Sequence, residues 1–129
     1  MAHGPLLDLG PHVVDALDAA LGPVVEIRAH GDPDRWVGLL LDHAGGASSE
    51  VSLTLRSGVE PMRAGLEVHT PEGVHAVDCA AAVDAEAFAT MASEFAATVR
   101  SWTSHPLDLA RGVHLQRLLD AAGRQLRRR

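Results

Sequence analysis

Lysine and tyrosine are absent from this chain. All eleven basic residues are arginine, and the only aromatics are two tryptophans and two phenylalanines. Without lysine the chain offers no amine for Schiff-base chemistry, no lysine general base and no lysine-bearing phosphate loop. Cysteine is nearly as scarce: Cys79 stands alone, so no intrachain disulfide can form, and a reducing cytoplasm is the expected location. It lies in Asp78-Cys79-Ala80-Ala81-Ala82 with no basic neighbour, the setting of a packed and unreactive thiol. No apolar run approaches the roughly 18–20 residues of a membrane span, and the first residues lack the basic-then-apolar layout of a signal peptide. Net positive charge is lacking too. At −6 the chain is a poor partner for nucleic acid, and the basic end Arg127-Arg128-Arg129 fits the solvated C-terminus of a helix.

What is present reads as a folded domain. The 129 residues are 47% hydrophobic, enough to bury one core. No repeat or long linker divides them, so a single domain over 1–129 is expected. Val13, Val14, Leu17, Ala20 and Leu21 recur at helical spacing and end at Gly22-Pro23. Val25, Ile27 and Ala29 alternate with Glu26, Arg28 and His30 as in a half-buried strand. Trp36 to Asp42 is more continuously apolar and predicts a strand covered on both faces. After Ala44-Gly45-Gly46-Ala47, Val51, Leu53 and Leu55 alternate again. Leu66 and Val68 lead into the turn Thr70-Pro71-Glu72-Gly73, and Val74 to Asp78 returns as a short strand.

Two helices complete the pattern. Phe88, Met91, Ala92, Phe95, Val99 and Trp102 trace one apolar stripe, read as core packing. Asp108 is a good N-cap for a last helix that buries Leu115, Leu118, Leu119, Ala122 and Leu126. The expected fold is α+β: an antiparallel meander of about five strands with helices on one face. Glu26, Arg28, Ser52, Thr54, Arg56, Glu67 and His69 would share the open face, available for a homodimer or higher homo-oligomer.

The stretch from Gly4 to Asp15, Gly4-Pro5-Leu6-Leu7-Asp8-Leu9-Gly10-Pro11-His12-Val13-Val14-Asp15, carries the most chemistry. It sets an acid and an imidazole four positions apart on a segment bent by glycine and proline that runs into a helix. Pro11 suits a first helical position, which puts His12 in the first turn among free N–H groups. Asp8 and His12 form a candidate proton-transfer pair or, in the plainer reading, a carboxylate accepting backbone hydrogen bonds before the helix and a partly buried imidazole; Asp15, one turn on, is a substrate-binding or orienting residue or simply faces solvent. A metal site built from Asp8, His12 and either His3 or Asp15 lacks a compelling third ligand, so no metal is expected. His30, His43, His69, His75, His105 and His114 are scattered over separate elements, where solvated or capping roles are the default.

This element order and opening motif resemble the C-terminal domain of the glucose–fructose oxidoreductase and inositol dehydrogenase family (Gfo/Idh/MocA). The stretch Gly4 to Asp15 looks like the family's Asp-x-Gly-x-His-x-x-Asp segment. Leu66-Glu67-Val68-His69-Thr70-Pro71-Glu72-Gly73 is similar to its hairpin, and the stretch from His105-Pro106-Leu107-Asp108 through Leu119-Asp120-Ala121-Ala122 to its closing helix. The resemblance implies an NAD(P)-dependent dehydrogenase context. The catalytic His and Asp of the family would map onto His12 and Asp8, with His12 as base on a substrate hydroxyl. The resemblance also implies an open sheet used for oligomerisation. The family's nucleotide domain and its catalytic lysine have no counterpart here. No G-x-G-x-x-G follows a strand, so this chain alone offers no seat for a cofactor.

Three functions follow as expectations. The first is a stand-alone domain acting on a small hydroxylated or carbonyl substrate by cofactor-independent acid–base chemistry, of isomerase, lyase or cyclase type. The second is a substrate-binding and oligomerisation subunit of a split NAD(P)-dependent dehydrogenase, paired with a separate nucleotide-binding subunit. The third is a non-catalytic binding or assembly module.

Overall fold

A computed structural model describes residues 4–58, 60–61, 63–80 and 85–127. The elements run α1 (Pro5–Asp8), α2 (Gly10–Leu21), β1 (Val24–Asp32), β2 (Trp36–His43), β3 (Ser48–Thr54), β4 (Gly65–Thr70), β5 (Gly73–Asp78), α3 (Ala85–Ser101) and α4 (Leu109–Leu126). They fall into two compact units, one formed by Met1–Ser57 with Pro106–Arg129 and the other by Gly58–His105.

The fold is α+β and antiparallel, with one correction. The five strands make a three-stranded sheet, β1-β2-β3, and a separate hairpin, β4-β5, rather than one sheet. Glu67 and His69 therefore lie on a different sheet from Glu26, Arg28, Ser52 and Thr54, and Arg56 follows the end of β3. A short turn makes the neighbouring strand in sequence the natural pairing partner, but the loop from residue 55 to 64 is long enough to release the second hairpin from the first sheet.

In the first unit one face of the sheet is closed by helices. Val37, Leu39 and Leu41 of β2 are fully buried, flanked by Ile27 and Ala29 of β1 and by Val51 and Leu53 of β3. Leu6, Val14, Leu17, Leu119, Ala122 and Leu126 fill the space from the helix side. Leu115 and Leu118 are half-buried at the rim of α4. The expectation that β2 is covered on both faces is not met, since Leu40 is 42% exposed. The apolar run in β2 instead places Gly38 on the outer face, where side chains from the flanking residues lie over it. A Cβ at Gly38 would sit 2.4 Å from Cε1 of His30 and 2.9 Å from Cη2 of Trp36. Strand β1 also departs from strict alternation. A bulge between Val24 and Glu26 turns Val24 inward and leaves Val25 64% exposed, after which the phase of Ile27 and Ala29 is as expected.

The edge of β1 is closed by a side chain. Gln125 of α4 accepts a hydrogen bond from the Ala29 N–H at 2.8 Å and donates one to the Ile27 carbonyl at 2.9 Å. Its primary amide thus stands in for the peptide of a missing neighbouring strand and satisfies an edge that would otherwise invite pairing.

The second unit is built differently. Its described residues include none that is buried, and every residue of β5 is exposed. Phe88, Met91, Phe95 and Val99 are each more than half exposed, and Trp102 is 94% exposed. The stripe at helical spacing is real, but within this unit it packs no core.

Candidate functional site

The opening segment folds as two helical pieces. Pro11 has no N–H to continue the ladder of α1, so the helix breaks around Leu9 and restarts. The break is slight. Leu9 keeps right-handed helical angles (φ −97°, ψ −30°), its N–H bonds to the Pro5 carbonyl, and its own carbonyl accepts from Val13. The segment before His12 is therefore a helical turn rather than an extended bend. The first free N–H groups belong to α1, so His12 does not stand at an open helix start. The buried side of this pair is formed by Pro5, Leu6, Gly10, Val14, Leu17 and Asp18.

Asp8 and His12 lie on the other side, both exposed. No hydrogen bond or ion pair joins them, and among the described residues neither has such a partner. Leu7 beside them is 51% exposed. Asp15 is engaged by α4 instead. Its carboxylate takes the Nε–H of Arg111 at 2.5 Å, and its backbone carbonyl takes an Nη2–H of the same guanidinium at 3.0 Å.

A second, deeper cluster was not evident in the sequence. Asp18 is 7% exposed, and its Oδ1 accepts the Val24 N–H at 2.7 Å. The same oxygen lies 3.3 Å from Nε2 of His114, and Oδ2 is 3.7 Å from Nη1 of Arg111. Asp15 and Asp18 on α2 thus meet Arg111 and His114 on α4, and the start of β1 hangs from the same carboxylate. Arg111 is placed for this by its own helix start, where Asp108 caps the Arg111 N–H at 3.0 Å as expected. The sequence does carry a signal for Asp18: it shares the apolar stripe of Val14 and Leu17, where an acid must be paired.

His43 is likewise buried and structural. Its Nδ1 is 2.6 Å from the Gly22 carbonyl and must donate to it, and its Nε2 is 3.0 Å from the Ser49 hydroxyl. The ring ties the end of β2 to the loop after α2 and to β3. On the outer sheet face the Trp36 indole donates to the Ser52 hydroxyl at 2.7 Å and meets His30 edge-on at 5.1 Å. These histidines do more than the solvated or capping roles their scatter predicts.

Two of the concavities among the described residues bear on the site. One of about 260 Å³ lies between α1, the β1–β2 turn and α4, lined by Leu6, Leu7, Asp34, Gln116, Asp120 and Arg127 among others. A wider one of about 790 Å³ opens on the β4–β5 hairpin, with Arg63, Glu67 and Asp78 at its rim. Neither includes Asp8, His12 or Asp15. Among the described residues no group of three His, Cys, Asp or Glu side chains is placed to hold a metal ion; His3 lies outside the described residues. No described helix is long and apolar enough to cross a membrane. In comparisons with protein-family models, curated proteins and solved structures, nothing matches the chain.

Proposed function

We propose that this chain is the substrate-binding and oligomerisation subunit of a split NAD(P)-dependent dehydrogenase. In this reading Asp8 and His12 join a site that a separate nucleotide-binding subunit completes. The observation that carries it is the setting of the pair. Both side chains lie open on the α1–α2 surface, without a partner among the described residues and next to the exposed apolar Leu7. A proton-transfer pair needs walls that exclude water and hold a substrate. At this surface those walls have to come from a second body. His12 would take the proton of a substrate hydroxyl, and Asp8 would stabilise the imidazolium that results. The nicotinamide and the lysine that usually assists such chemistry would belong to the partner, and no residue of this chain is assigned to either. The outer face of the three-stranded sheet, where Trp36, Leu40 and Val25 stand among Glu26, Arg28 and Asp42, would serve homo-oligomerisation.

The test places a photo-crosslinking amino acid at Leu7 in the full chain within its native cells. A crosslinked product that binds a dinucleotide affinity resin is expected, while calorimetric titration of NAD(P) into the isolated chain shows no binding. Cofactor binding by the isolated chain would overturn the proposal. Turnover of a hydroxylated or carbonyl substrate by the isolated chain, lost in His12→Ala, would establish the cofactor-independent isomerase, lyase or cyclase instead. The absence of both crosslink and turnover would leave a binding or assembly module.

A further inference from the structure

We infer that α3 is a self-association helix, pairing its apolar stripe with the same stripe of a second copy of this chain. The inference rests on surface chemistry and is independent of the dehydrogenase reading.

Three observations carry it. The first is spacing: Phe88, Met91, Phe95 and Val99 follow one another by three, four and four residues, the seam of a helix that packs along another helix, and Trp102 stands just past the helix end with φ 54°. The second is the lack of a partner inside the unit. The β4–β5 hairpin buries none of its residues, and the stripe remains 57–71% exposed. A helix of this length gains most of its stability from packing an apolar face, so the stripe needs an occupant.

The third is area. The exposed parts of the four stripe side chains, with Trp102 beside the helix end, offer on the order of 700 Å² per chain, so two such surfaces bury at most roughly 1,400 Å², which reaches the range of a stable interface. A second α3 matches the stripe in length and chemistry by construction. An antiparallel pair of these stripes lays Phe88 of one copy towards Val99 of the other, with the helix dipoles opposed.

The test measures the mass of the full chain by light scattering at about 100 μM, a concentration that populates a micromolar dimer. The wild type is expected to be a dimer or an even-numbered oligomer. Phe95→Glu and Met91→Glu, on an exposed helix face, should each halve the mass and weaken association by at least about a hundredfold. Trp36→Ser on the sheet face should leave the α3 pairing intact, which separates this interface from the one proposed for the sheet. Hydrogen exchange on the unmutated chain gives an independent reading, because protection of 88–102 should fall on dilution. A monomeric wild type, a mass unchanged by both glutamates, or protection of 88–102 that ignores concentration would overturn the proposal. The last outcome would mean that the stripe is covered within one chain.

Discussion

Asp18→Ala removes the one carboxylate on which α2, α4 and β1 converge. Three contacts are lost together: the 2.7 Å bond from the Val24 N–H, the 3.3 Å contact with His114 and the 3.7 Å approach of Arg111. The Asp18 side chain is 5% exposed, but His114 is 36% exposed and Arg111 23% exposed, and Arg111 keeps Asp15. The ionic part is therefore partly screened, and the full loss of a buried pair does not apply. The backbone bond to a charged acceptor contributes about 1.5–3 kcal/mol, and partial loss of the ion pair adds about 1 kcal/mol. We expect about 3 kcal/mol of destabilisation, or roughly 10 °C in Tm for a chain of this size. Asp18→Asn keeps an oxygen for Val24 and should cost about 1 kcal/mol. The assay is equilibrium urea unfolding in a Trp102→Phe background, so that Trp36 alone reports on the unit containing the three-stranded sheet. A loss below about 0.5 kcal/mol for Asp18→Ala, or equal losses for Ala and Asn, would refute the assignment of the Val24 bond as the dominant contact.

Gln125→Ala should cost about 1–2 kcal/mol by stripping two backbone partners from the edge of β1, and exchange of the Ala29 amide should accelerate. Gly38→Ala forces His30 and Trp36 off the sheet face, with a loss of about 1 kcal/mol and a red shift of Trp36 emission; an unshifted spectrum would argue against the ring placement. His12→Ala and Asp8→Ala should each leave stability within about 0.5 kcal/mol of the parent, because neither side chain holds a partner in the fold. A larger loss in thermal denaturation would make the pair structural rather than available for chemistry.

Apart from α1, the element list was legible in the sequence because it depends on local periodicity. The caps at Gly22 and Asp108, the turns and the inward positions Ile27, Ala29, Val51 and Leu53 follow from residues a few positions apart, whereas Val25 at the β1 bulge and Leu55 past the end of β3, read into the same sets, are exposed. What failed depends on contacts distant in sequence. The meander reading joined five strands by proximity along the chain, yet pairing across residues 55–64 needs a geometry that no local pattern encodes. Apolar continuity in β2 looked like two covered faces, although Gly38 contributes no side chain and Leu40 faces outward. The stripe of α3 was visible, but a period of 3.6 shows that a helix has an apolar face, not that its own unit supplies a cover.

The site shows the same division more sharply. The twelve residues from Gly4 to Asp15 attract attention because acid, imidazole, glycine and proline are close together in sequence. Asp15 and Asp18 meet Arg111 and His114 only because α4 crosses α2 some ninety-six residues later. Burial then separates the two groups by role. Asp18 and His43, withdrawn from water, have their polar atoms matched, as the cost of an unpaired buried group requires. Asp8 and His12 remain in water and need no internal partner, so the fold places no constraint on their identity. Free energy of folding therefore accounts for the first pair and not for the second. On the proposed reading, the acid and the imidazole at positions 8 and 12 serve the subunit that docks on that surface.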